Sequence, residues 1–261
     1  MKISALTLNR HPTVATLSEH INRQQQASAD TAIVASGLRE APLSFQQSRL
    51  WFMQQLSGGA THYLSPVLLR LSAGVDCELF IKSLQALVSR HQVLRSLIRQ
   101  DERGEASQWV SEERLPVSLH LLSAEAFSVA LSQALQQPMD LTCELPLRAA
   151  LYRYPEPTGG EVTACLLVFH HIVFDGWSLE VLLKELDALY RHFQRSPTTP
   201  LPTPGLQYLD YALWQRAPEN ASRQADDLAF GSGNWRVASS STSPWIMSDP
   251  TLSTCVGTAA K

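Results

Sequence analysis

Residues Phe169–Ser178 read FHHIVFDGWS and bring two imidazoles, a carboxylate and a glycine into one short stretch. His170 and His171 follow the apolar run ACLLVF (Ala164–Phe169), and Asp175-Gly176 come just before a strongly periodic helical pattern. Two titratable rings at the end of a buried strand can serve proton transfer, a common task of histidine. The competing reading makes one histidine a satisfied core residue and Asp175 a helix cap. For a lone His or Asp that reading is the better one. The joint pattern HHxxxDG at a strand-to-turn-to-helix junction is rarer and favours chemistry. A metal held by His170, His171 and Asp175 is not expected, because adjacent residues on a strand point to opposite faces and cannot easily share one ion.

The pattern around this stretch is mixed. Helices are predicted over 46–56, 76–91, 125–135 and 206–215, and a broad apolar stripe from Leu179 to Phe193 predicts another after the motif, with Ser178 as its N-cap. Strands are predicted over 66–71, 94–99, 107–110, 117–121, 147–154 and 162–169. Such mixing predicts α/β layering. Residues 1–24 read as a turn and a helix, with Pro12 in the first helical turn and Val14, Leu17 and Ile21 at helical spacing. The small, polar stretch that follows reads as a linker, so a domain should begin near Pro42.

The chain has 261 residues, 44% hydrophobic and 17% charged, enough for one large domain or two small ones. A net charge of −3 gives no basic footprint for nucleic acid, and short clusters such as Arg90-His91 lie inside amphipathic sequence and read as structural. Cys77, Cys143, Cys165 and Cys255 show neither metal-ligand spacing nor disulfide density, which suits a reducing, cytoplasmic setting. No stretch approaches a signal peptide or membrane span.

Four stretches together resemble the condensation domains of nonribosomal peptide synthetases, in that family's order. LSFQQSRLWF (Leu43–Phe52) matches the opening S-x-x-Q-x-R-L-W signature through Ser44, Gln47, Arg49, Leu50 and Trp51. RHQVLRSLI (Arg90–Ile98) matches RHExLRTxF, departing at Gln92, Ser96 and Ile98. HHIVFDGWS (His170–Ser178) matches HHxxxDG in full, and YLDYALW (Tyr208–Trp214) matches YxDYAxW. MDLTCELPLRAAL (Met139–Leu151) is similar to the stretch before the family's second core strand.

The resemblance implies a chloramphenicol acetyltransferase-like α/β sandwich, here one lobe, the N-terminal half, of the usual two. In that family a tunnel runs between the lobes with HHxxxDG at its middle, and donor and acceptor arrive as thioesters on phosphopantetheine arms of two carrier domains. The acceptor amine attacks the donor carbonyl to form a peptide bond. An α-amine titrates near ~8 and an imidazole near ~6.5, so a histidine can orient such an amine and take its proton. By resemblance His171 is the catalytic residue, as base or as orienter, and His170 supports it. Asp175 is expected to turn away and pair with an arginine, Arg95, to fix the loop, and Gly176 to leave room for the pantetheine arm. No cofactor is expected in the domain itself. Upstream and downstream peptidyl carrier domains and an adenylation domain of the same assembly line are the expected partners, with neither nucleic acid nor membrane.

Residues 1–24 also resemble the end of a carrier domain. The organisation expected is therefore a carrier remnant over 1–24, a linker over 25–41, a truncated condensation domain with the start of its crossover over 42–230, and a tail foreign to the family over 231–261. Back-translation from Phe230 into a shifted frame yields a family-like continuation, so a frameshift near Phe230 is expected, as a mutation or a sequencing error. A chain without its second lobe should expose apolar surface and have little activity alone. Two other functions stay open: a stand-alone acyltransferase of the same superfamily that uses acyl-CoA, and a noncatalytic module that docks carrier domains.

Overall fold

The computed structural model describes residues 13–19, 32–59, 61–156, 159–195, 203–218 and 220. The chain divides into Met1–Arg216 and Ala217–Lys261, and every element named below belongs to the first unit. The carrier-like stretch is described only at 13–19, where 14–19 are helical; the boundary near Phe230 and the tail over 231–261 lie outside the described residues.

The order is β1 (Glu40–Pro42), α1 (Phe45–Leu56), β2 (Leu64–Leu71), α2 (Cys77–Arg90), β3 (Ser96–Gln100), β4 (Ala106–Val110), β5 (Val117–Leu121), α3 (Ala124–Gln136), β6 (Leu147–Pro155), β7 (Glu161–His170), α4 (Gly176–Gln194) and α5 (Tyr208–Arg216). One sheet runs β2-β7-β6-β5, with β7 antiparallel to both neighbours and β5 parallel to β6. A smaller antiparallel sheet runs β1-β4-β3.

The apolar run before the histidines makes β7 the centre of the larger sheet. Cys165, Leu167 and Phe169 pack under α2 and α4 with Leu84, Leu87, Leu182, Leu186 and Leu189. Leu166 and Val168 face the other way, with Tyr152 and, from α3, Phe127 and Leu131. A strand covered on both faces needs apolar residues at every position, which explains a run without alternation. The helices begin where the sequence offers acceptors: Ser44 caps α1 in a reciprocal capping box with Gln47, Asp76 caps α2 and Ser123 caps α3. Arg90 and His91, at the end of α2, both reach Glu185 of α4, at 3.2 and 2.8 Å, and brace the two helices that cover β7.

The YLDYALW stretch acts as a clasp. Asp210 is buried and accepts from Ser36 N and Oγ and from Gln207 N at 2.7–2.8 Å. Gln207 in turn bonds Gln92 N and Arg90 O, Tyr208 OH lies 2.9 Å from Ser44 Oγ, and Arg216 donates to Leu43 O. Burial alone would raise the Asp210 carboxyl, but the bonds from Gln207 and Ser36 outweigh it and hold it below the usual carboxylate range.

Three local expectations need adjustment. β1 and Ser36 lie in the stretch read as linker, because β4 offers β1 a ladder and Asp210 offers Ser36 an acceptor, neither visible in local composition. β3 begins at Ser96 rather than Leu94, since Gln92–Arg95 coil into a 3-10 turn. The cap of α4 is Asp175, not Ser178, which stands third in the helix as the reciprocal partner. Among the described residues no helix is long and apolar enough to cross a membrane.

Replacing Asp210 by alanine strands the donors of Ser36 and Gln207, at an expected cost of roughly 1–3 kcal/mol in urea unfolding at neutral pH. Because the folded carboxyl is depressed, its contribution is present above the unfolded value and fades as pH falls through the folded one, below about pH 4. Asp210→Ala should therefore flatten the acid limb of the stability profile, and a variant as acid-sensitive as the parent would contradict this role.

Candidate active site

β7 ends on His170, whose alternation parity places its ring on the face of Leu166 and Val168, opposite Phe169. There the ring is buried, 1% exposed, and both its nitrogens are occupied. Nδ1 accepts from Ile172 N at 3.1 Å, so the ring proton sits on Nε2, which points at Gln54 Oε1 3.4 Å away. Burial, and next the neighbouring His171, push the His170 pKa down to about 4, so this ring is neutral at physiological pH.

His171 is the first residue beyond the strand, and it is exposed. Its backbone N–H donates to Tyr63 O at 2.7 Å, which carries the β2–β7 ladder one residue past His170. Its Nδ1 lies 2.6 Å from Phe174 O. A carbonyl can only accept, so Nδ1 carries the proton and, in the neutral ring, Nε2 carries the lone pair. Among the described residues nothing bonds Nε2. The adjacent histidines are thus opposite tautomers: His170 is Nε2–H and faces inward, and His171 is Nδ1–H with its basic nitrogen outward. Phe174 holds the turn from below by stacking on Phe169, centroids 4.0 Å apart.

Asp175 begins α4. Its Oδ1 accepts from Ser178 N at 2.9 Å and from Ser178 Oγ at 2.7 Å, and these bonds hold the carboxyl below its usual range. The expected Asp175–Arg95 pair does not form. Arg95 turns back on the end of α2, where Val88 and Ser89 carbonyls lack helical partners, and donates to both and to Ser111 O. Asp175 meanwhile stands where the first amides of α4 need an acceptor, and it has no carboxylate–imidazole bond to His171 among the described residues. Gly176 is exposed, and a Cβ there would meet nothing within 4 Å. Trp177, at the same helix start, is 83% exposed. Among the described residues no three His, Cys, Asp or Glu side chains are placed to hold a metal ion.

A cavity of about 360 Å³ opens between the end of α2 and the start of α4, walled by Leu94, Val173, Phe174, Asp175 and Trp177. His171 is not on its wall, so this cavity is separate from the His171 ring. Three residues of the site were missed by motif reading: Tyr63, Gln54 and Phe174. For Gln54 a signal existed, since Gln47, Trp51 and Gln54 recur at helical spacing and are the buried residues of α1. The other two contribute backbone carbonyls, which side-chain motifs do not report.

A family model described as the condensation domain matches residues 38–237. The chain is similar to a linear gramicidin synthase of Brevibacillus parabrevis, 37% identical over 249 residues, which are 90% of this chain and 5% of that protein. It is also similar to a dimodular nonribosomal peptide synthase of Bacillus subtilis, 36% identical over 210 residues, 78% of this chain and 8% of that one. Among solved structures, the X-domain in complex with OxyB from teicoplanin biosynthesis matches with a TM-score of 0.65 at 23% identity, over 75% of this chain and 42% of that one. The first condensation domain of the CDA synthetase matches with a TM-score of 0.62 at 21% identity, over 77% and 51%. The fold is therefore the chloramphenicol acetyltransferase-like sandwich expected, and the chain spans about half of each of these solved chains.

The geometry predicts how two substitutions at Asp175 will differ. Asparagine caps a helix about as well as aspartate, so Asp175→Asn should leave thermal stability nearly unchanged, whereas Asp175→Ala should cost about 1 kcal/mol. This reverses what a buried ion pair would give, and a strongly unfolded Asp175→Asn variant would restore that reading.

Proposed function

As this chain belongs to the condensation-domain family, we propose that it is the N-terminal lobe of a domain that joins two carrier-tethered aminoacyl or peptidyl thioesters by a peptide bond. The observation that carries this reading is the exposed His171 at the head of HHxxxDG, whose Nδ1–H bond to Phe174 O leaves Nε2 without a bonded partner among the described residues.

In the proposed reaction the acceptor amine attacks the donor thioester carbon. A C–N bond forms, the C–S bond breaks, and the phosphopantetheine thiolate of the donor carrier leaves. The proton shed by the amine nitrogen goes to His171 Nε2 and then to that thiolate. Proton transfer of this kind is worth about 10²–10⁴-fold, and holding two tethered substrates together adds its own advantage. His170 supports the turn as a neutral ring. Asp175 serves as the cap of α4 and Arg95 as the closure of α2, so neither touches substrate. Open space beside Gly176 suits an extended pantetheine arm passing the backbone.

The domain needs no cofactor of its own, and its partners are the carrier domains on either side and the adenylation domain that loads them. On the resemblance, residues 42–230 are read as the N-terminal lobe with the start of its crossover and residues 1–24 as carrier-domain sequence; turnover by this chain alone is expected to be small.

The test supplies carrier-tethered aminoacyl substrates to the purified chain, with and without the complementary lobe from a related domain. Peptide formation only on complementation, falling by about 10²–10⁴-fold in His171→Ala, is the expected result. Turnover of acyl-CoA by the chain alone would replace this reading with the stand-alone acyltransferase. Carrier binding with no turnover under any condition would replace it with a docking module.

A further inference from the structure

The buried histidine of the motif is the middle of a relay that starts on α1. Gln54 is 6% exposed, and its Nε2 donates to Met139 O at 3.2 Å. That bond fixes the orientation of the amide, because the carbonyl of Met139 accepts only from the NH₂ side. Gln54 Oε1 is thereby turned to His170 Nε2, and His170 Nδ1 takes the N–H of Ile172. The relay closes on the residues either side of His171, since His170 N donates to Pro146 O and Ile172 N to the ring of His170. Ile172 itself packs with Trp51, Leu43 and Leu141, so the turn is tied to α1 by both apolar and polar contacts.

From this geometry we infer that Gln54 is a positioning residue for the reaction proposed above: its amide carbonyl selects the Nε2–H tautomer of His170, which frees Nδ1 to hold Ile172 N–H and so fixes the turn that presents His171. The inference rests on the condensation reading for its purpose, and on the hydrogen bonds alone for its content. A His170 ring with its proton on Nδ1, or with two protons, cannot accept from Ile172, and the turn loses its inner anchor. A carboxylate at position 54 would still accept from Nε2–H, but it would also draw a second proton onto Nδ1, where burial now disfavours a charged ring and the facing ring is that of Tyr63, 6.2 Å away.

The experiment needs no turnover. The whole chain, labelled with ¹⁵N in its histidine rings, is titrated between about pH 5.5 and 8, a window above the His170 value of about 4. His170 should keep one protonated and one bare nitrogen throughout, with the proton on Nε2. A charged ring in that window, or a proton on Nδ1, overturns the inference before any variant is made. In Gln54→Glu the His170 titration should move up by roughly two pH units or more into the window, and the Ile172 amide and His171 ring should shift with the same midpoint. An unmoved titration, or one that Ile172 and His171 do not follow, refutes it. Should that variant fail to fold, Gln54→Leu removes the acceptor without adding charge. It should give His170 a mixture of tautomers and faster exchange at the Ile172 amide, and a spectrum like the parent's would refute the role. A chain inactive in the carrier assay can still support Gln54 here, and an active one can still refute it.

Discussion

The register of β7 is the constraint on which the rest of the structure depends. Its side chains alternate between the helix pair α2 and α4 on one face and α3 on the other, where His170 also meets Gln54 of α1, with neighbouring strands on both sides. A slip of one residue would carry Phe169 to the wrong layer and send His171 inward while His170 turned outward. Such a slip costs many buried contacts at once, so it is excluded by the bulk of the core rather than by any group in the site. The chemical asymmetry between two neighbouring histidines is therefore a product of packing. One ring is desolvated and neutral, the other is exposed, and the difference is a single step in strand parity.

Much of this was legible in the sequence, and the reason is local. Runs such as Ala164–Phe169 and the stripe of α4 report their burial through periodicity, and the spacing HHxxxDG places a turn between strand and helix without help from elsewhere. What was not legible depends on partners remote in sequence. β1 forms because β4, more than sixty residues on, offers an open edge, and Ser36 is held by Asp210 across a separation of 174 residues. Residues 32–41 read AIVASGLREA, a short aperiodic mix of apolar, small and charged residues that suits a linker as well as an edge strand. The anchors of the HHxxxDG turn, Tyr63 O and Phe174 O, are backbone groups, and no residue type advertises them.

The Asp175–Arg95 expectation failed on a competition that local rules can describe. Each charged group had a nearer partner of the right polarity: the first amides of α4 for the carboxylate, the last carbonyls of α2 for the guanidinium. Both are helix ends with unsatisfied backbone groups, and both sit within a few residues of the side chain that serves them. An ion pair between the two would have to leave those ends bare. The loop is fixed all the same, but by caps, an aromatic stack and the neutral His170 ring rather than by a charge pair. Helix termini thus take over work that a salt bridge would do with a larger desolvation cost.

In the proposed reaction, a base fixed in this way would be only half of a catalyst for amide formation. Water is a competing nucleophile for any thioester, and an exposed Nε2 can activate water as readily as an amine. Selectivity then has to come from whatever excludes solvent above His171 and sets the amine within reach of the carbonyl. The lobe supplies the floor: tautomer, turn, helix start and the open backbone at Gly176. None of these discriminates an amine from water, because each acts on the histidine and none on the nucleophile. In that reaction, a division of labour between a pre-set base and whatever selects the nucleophile would follow from the exposed position of His171, one residue beyond the strand that orients it.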